Sequence, residues 1–197
     1  MRASFFLFIV LILCASSGSF AQSKVGFEQQ GAFGVKGGWI GSTEVKVYSP
    51  GTDNQVGELK TSSSYALGVF VEQRIVSKLR GLISVDILNI QEGRFGADGS
   101  ENFLLFSAGA KYRYRPGNAN YGFSPVVSIG YGWMPKISGL HNSDYRMLGT
   151  GIEFSLHAHR GNAFLIEILR LTSLSGSDGE YDVSAGPMML YRIGVIF

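Results

Sequence analysis

The feature that most constrains this chain is an alternation of period two, sustained over one segment of about ten residues after another. Tyr65, Leu67, Val69 and Val71 alternate with Ala66, Gly68, Phe70 and Glu72. Leu104, Phe106, Ala108, Ala110, Tyr112 and Tyr114 alternate with Leu105, Ser107, Gly109, Lys111, Arg113 and Arg115. Phe123, Pro125, Val127, Ile129, Tyr131 and Trp133 do so with Ser124, Val126, Ser128, Gly130 and Gly132. Leu148, Thr150, Ile152, Phe154, Leu156 and Ala158 do so with Gly149, Gly151, Glu153, Ser155, His157 and His159. Neighbouring side chains of a strand point to opposite sides, so each segment has one apolar face and one small or charged face. A soluble sandwich or lipocalin-type barrel has the same periodicity. It would not turn Tyr, Trp, Phe and Leu outward while keeping Glu, Arg, Lys and His inside. The pattern predicts strands set between lipid and a polar interior.

The alternation predicts eight strands, at about 31–47, 63–76, 79–91, 103–115, 122–136, 146–159, 163–173 and 184–197. Short turns are expected near Ser77-Lys78, at Pro116 to Asn120 and at Arg160-Gly161-Asn162, with longer polar loops at 48–62, 92–102, 137–145 and 174–183. Short and long connections in alternation suit an all-β, antiparallel up-and-down transmembrane barrel with periplasmic turns and external loops. Aromatic residues gather near the predicted strand ends. Phe33, Tyr112, Tyr114, Tyr121, Phe123, Phe164 and Phe197 fall toward the periplasmic side, and Tyr65, Phe103, Trp133 and Tyr145 toward the outside. Rings with one apolar and one polar end favour a membrane interface.

The start of the chain fits export. Arg2 precedes a short apolar run from Phe5 to Leu13, and Ser19-Phe20-Ala21 offers small residues for cleavage. The run is shorter than the roughly 20 apolar residues of a spanning helix. Residues 1–21 are therefore expected to be a signal peptide, with 22–197 the barrel domain. A lipoprotein signal at Cys14 is disfavoured by Leu13 immediately before it. Cys14, the single cysteine, would leave with the signal, so no disulfide or thiol chemistry is expected of the mature protein. Without Arg2, the 17 basic residues become 16 against 15 acidic ones, which argues against a nucleic-acid binder. Glycine, at 27 of 197 residues, stands at about twice the usual share of roughly 7%.

The last segment alternates Met189, Tyr191, Ile193, Val195 and Phe197 up to an aromatic end. Tyr191, Ile193, Val195 and Phe197 resemble the C-terminal signal by which the outer-membrane assembly machinery recognises its substrates. Phe33-Gly34-Val35-Lys36-Gly37-Gly38 resembles the opening strand of the PorT-like small outer-membrane β-barrels. Residues 83–93, Phe103 to Tyr114 and Pro125 to Gly132 fit the same family in order. The resemblance spans nearly the whole mature chain and implies fold and outer-membrane location. Some members of that family serve protein secretion linked to gliding, and it implies no catalytic residue here.

The inward faces carry Lys36, Glu72, Arg74, Asp86, Lys111, Arg113, Glu153, His157, Glu167 and Arg192. Buried charges persist when paired, so a cross-barrel network filling a narrow lumen is expected. A small polar or ion path is the alternative, set back by the width of an eight-stranded barrel, which side chains alone can fill. No phosphate-cradling loop, Gly-x-Ser-x-Gly elbow or His-Glu-x-x-His pair is present. His157 and His159 at two-residue spacing lack a clear third ligand, and the Ser177 to Asp182 loop lacks calcium-loop spacing, so no metal or other cofactor is expected. His141-Asn142-Ser143-Asp144 resembles part of the His/Ser/Glu set of a small barrel family that removes an acyl chain from lipid A, which implies a lipid-A-modifying hydrolase as an alternative; His-x-Ser spacing puts a base and a nucleophile on one strand face. Asp144 stands where the deacylating barrel family has Asn, and Glu153, the nearest acid, lies on the same predicted strand. The expectation is a non-enzymatic barrel acting through its external loops, in contact with outer-membrane lipids and lipopolysaccharide. A role as subunit of a secretion or surface assembly is open at this point.

Overall fold

The protein is described here from a computed structural model, which places residues 31–92, 100–117, 119–134, 143–157, 162–177 and 179–197. Eight antiparallel strands close into a barrel: β1 (Gly31–Ile40), β4 (Ser64–Val76), β5 (Leu79–Glu92), β6 (Ser100–Tyr112), β7 (Tyr121–Met134), β8 (Ser143–His157), β9 (Ala163–Ser177) and β11 (Met188–Ile196). Each pairs with its neighbour, β5 with β6 completing one side and β1 with β11 joining the first and last strands. Closure leaves no open edge, so the backbone polar groups are satisfied within the wall, the condition for crossing a bilayer with strands.

Three further strands continue the barrel on one side. β2 (Glu44–Tyr48), β3 (Gln55–Ser62) and β10 (Asp182–Ala185) extend β1, β4 and β11 beyond short breaks at 41–43, Ser63 and 186–187. The order β10-β2-β3 is tied to β9 at one end and to β5 at the other. Gly41 N–H to Met189 O (2.7 Å), Thr61 N–H to Thr43 O (2.8 Å) and Gly186 N–H to Glu44 O (2.6 Å) carry the ladder across the breaks. The predicted strand 31–47 is thus two pieces, and most of the predicted loop 48–62 is strand. Polar residues such as Gln55, Glu58 and Lys60 hid that strand, because backbone pairing with β2 rather than an apolar face sustains it. Ser143 to Tyr145 likewise belong to β8 and not to a loop.

The two faces follow the alternation. Ile193 is 66% exposed and Ile129 65%, whereas Leu190 and Leu88 at opposite parity are fully buried. From Phe123 to Trp133 the outward face of β7 climbs roughly 34 Å along the strand, or about 26 Å vertically at a 40° tilt, close to the apolar band of a transmembrane barrel. Tight turns define the periplasmic end. Ser77 takes a positive φ of 33° in the two-residue β4–β5 turn, and Gly117, at 50°, turns β6 toward β7. Phe33 and Phe197 stack there at 6.3 Å, and Tyr114 and Phe123 meet at 4.8 Å. Pro125 lacks an N–H and sits where the regular β6–β7 ladder stops at Lys111–Val126. At the external end, Trp39 stacks on Tyr191 at 5.7 Å. Two residues of the expected external belt turn out to be interior: Phe103 and Tyr145 are 2% and 1% exposed and meet edge to face inside the barrel. Nearness to a strand end had suggested a belt, but strand parity decides the side.

Candidate functional site

Elements on opposite walls bring the charged residues together in the lumen. Lys36 of β1 donates to Glu167 of β9 at 3.2 Å and lies 3.9 Å from Asp86 of β5. Arg192 of β11 bridges the same two acids, with Nη1 on Asp86 and Nη2 on Glu167. Ser84 Oγ donates to Asp86 at 2.8 Å and contacts Ser107 Oγ at 2.7 Å. Nearer the periplasm, Lys111 of β6 bonds both oxygens of Glu153 at 2.7 Å and pairs with Glu72. Arg113 reaches Glu72 at 3.0 Å. The Phe70 ring separates the two groups, with Lys36 Nζ at 5.3 Å and Lys111 Nζ at 5.8 Å from its centroid. A ring can stabilise a cation over its face, so Phe70 accepts positive charge from both groups. Gly34, directly across from Phe70 in the β1–β4 ladder, makes room for that ring, which a Cβ would strike.

Glu153 and Glu167 stand directly opposite each other on β8 and β9. Facing carboxylates repel, and here each is held by a different set of cations: Lys111 for Glu153, Lys36 and Arg192 for Glu167. Above the charges the interior is apolar. Ile40, Leu88, Phe103, Met147, Leu171 and Leu190 are buried there, and Val45, Val183 and Ala185 carry that core up behind the raised wall of β2 and β10. Paired charge below and packed hydrocarbon above fill the space that an eight-stranded barrel encloses.

Of the residues singled out from sequence, Lys36, Glu72, Asp86, Lys111, Glu153, His157, Glu167 and Arg192 are buried, and Arg113 is partly buried. Arg74 is a correction: it has inward parity, but it lies beyond the lumen and is exposed at the periplasmic rim. Arg80 was missed. It is 5% exposed and faces inward opposite Lys111, and the parity that turns Asp86 inward also reaches Arg80. The apolar upper layer is not marked by charge, and its inward Leu88, Phe103 and Leu190 look in sequence like any other apolar residues. His141 and His159 lie outside the described residues, as do residues 1–30 with the expected signal peptide. The backbone of Ser143 opens β8, paired with Met134. Tyr191, Ile193, Val195 and Phe197 all lie on the outward face of the final segment, and Phe197 N–H bonds Phe33 O at 2.8 Å.

The model of the outer membrane protein beta-barrel domain family matches residues 6–186. The chain belongs to this family. Its members' location agrees with the apolar outer band, and the protein is an outer-membrane β-barrel. Similar solved structures include Neisserial surface protein A, at 14% identity and a TM-score of 0.45, covering 85% of this chain and 98% of that one. Another is Ail, the attachment invasion locus protein of Yersinia pestis, at 15% identity and a TM-score of 0.44, covering 86% and 100%. No curated protein matches the chain in sequence.

Proposed function

We propose that this barrel is a non-enzymatic outer-membrane component that binds a partner through its raised external wall, in the manner of a PorT-like subunit of a secretion or surface assembly. The observation that carries this reading is the continuation of the ladder above the Trp39–Tyr191 level by β2, β3 and β10. A barrel that served only as a membrane plug would have no use for an apolar core behind such a wall. The paired charges and packed hydrocarbon of the lumen favour this role over a pore. Outer-leaflet lipopolysaccharide is the proposed lipid neighbour, and the assembly machinery would read the strand ending in Tyr191, Ile193, Val195 and Phe197. The wall's exposure is tested with a cysteine at Thr52, in the exposed β2–β3 turn. A membrane-impermeant maleimide should label Thr52→Cys on intact cells. Labelling only after permeabilisation would overturn the reading. Lipid A should have the same mass spectrum with and without the protein, and loss of an acyl chain dependent on Ser143 would make it an enzyme.

A further inference from the structure

Charge is distributed unevenly between the two ends of the barrel. Arg74, Lys78, Arg80, Lys111, Arg113 and Arg115 gather at the periplasmic ends of β4, β5 and β6. Among the described residues, the acids beside them are Glu72 and Glu153. Lys111 engages both acids, Arg113 shares Glu72, Arg115 donates to Ala119 O and Lys78 lies over the Tyr114 ring; among the described residues six cations and two carboxylates share this end. The ladder makes the crowding explicit: Arg74 stands directly opposite Arg80, and Arg80 directly opposite Lys111. Like charges in facing positions destabilise a sheet. Arg80 lies within electrostatic reach of Arg113 and Arg74 and of the acids Glu72 and Glu153. The external end has no such excess, with Glu44, Asp53, Glu58, Asp144, Glu180 and Asp182 outnumbering Lys46, Lys60, Arg146 and Arg170 among the described residues.

We infer that the periplasmic mouth docks a carboxylate-rich segment of a periplasmic protein, which approaches the rim along the barrel axis. Direction selects this partner over membrane lipid. Arg74, Arg80 and Arg113 lie on the lumen-facing parity, while the lipid-facing positions beside them are Ile75, Leu79, Tyr112 and Tyr114. Spread selects it over a small anion. The cations span three strands, roughly 10 Å across at the usual strand spacing, and Arg74, Lys78 and Arg115 are exposed around that width. Several carboxylates on one chain match that arrangement, and a concave site of one sign concentrates such a partner.

The test uses the full barrel in zwitterionic micelles and a fluorescein-labelled dodecapeptide alternating Glu and Ser, read by anisotropy at low ionic strength. The peptide should bind, and added salt should weaken binding. Arg74→Gln with Arg115→Gln should weaken binding about tenfold, the loss expected of two exposed charge contacts. Both residues are exposed, so the double variant should keep the unheated gel mobility of the folded barrel. Arg146→Gln with Arg170→Gln, at the other end, should leave affinity unchanged. Equal loss from the external pair, or no binding by the parent, would overturn the proposal. Full competition by millimolar inorganic phosphate would replace it with a small-anion site. Loss of binding in phosphatidylglycerol nanodiscs, but not in phosphatidylcholine ones, would replace it with lipid headgroups.

Discussion

Replacing Lys111 with Met probes the lumen network at the point where most of it depends on one group. The Lys111 side chain is fully buried, as is that of Glu72, and Glu153 is 4% exposed. In Lys111→Met, Glu72 keeps Arg113 while Glu153 loses both of its 2.7 Å hydrogen bonds. Leaving a buried charge without its partner costs about 3–5 kcal/mol. With a urea slope of about 2 kcal/mol per molar, a loss of about 4 kcal/mol moves the unfolding midpoint down by about 2 M. Removing both charges is different, because a buried ion pair contributes little net stability against well-packed apolar groups. The double variant Lys111→Met/Glu153→Met should therefore return to within about 1–2 kcal/mol of the parent. Reversible urea unfolding in lipid vesicles, followed by tryptophan fluorescence, measures both. A single variant that loses under about 1 kcal/mol, with no recovery in the double, would mean that water reaches Glu153 in the lumen and screens its charge, contrary to the packed interior.

Three further outcomes follow from the same geometry. Gly34→Leu should destabilise the barrel by at least about 1–3 kcal/mol through collision with the Phe70 ring, and Phe70→Ala in the same chain should restore part of it, both read by urea midpoint. Phe197→Asp should lower outer-membrane levels, since it removes the Phe33 stack and the proposed recognition residue, and immunoblots of fractionated membranes measure this. In planar bilayers the protein should give no steady unitary conductance, and current steps altered by Lys36→Ala would contradict a filled lumen.

The fold was legible because lipid on one side and a narrow interior on the other impose opposite chemistry on alternate residues. That constraint marks Tyr65, Leu67 and Val69 as outward and Glu72 as inward without any tertiary information. It weakens above the membrane, where both sides of a strand meet water or protein. For that reason the sequence pattern of β3 and of the first residues of β8 resembles a loop. Within the lumen, charge was easy to see and pairing was not. Which cation meets Glu153 or Glu167 depends on register between strands far apart in sequence, 42 residues for Lys111 with Glu153 and 131 for Lys36 with Glu167. Phe103 and Tyr145 show the converse, as aromatic type suggested the interface while parity turned them inward.

Alternate residues of one strand face hydrocarbon and a sealed interior, and nitroxide scanning along β7 tests this arrangement. The mature chain offers no competing thiol if residues 1–21 are removed, so single cysteines from Phe123 to Trp133 can each carry a spin label in outer-membrane vesicles. Labels at Phe123, Pro125, Val127, Ile129 and Tyr131 should be relaxed by oxygen and ignored by a water-soluble nickel chelate. Labels at Ser124, Val126 and Ser128 should respond weakly to both reagents. Strong nickel relaxation at Val127 and Ile129 would put that face in water and contradict the account.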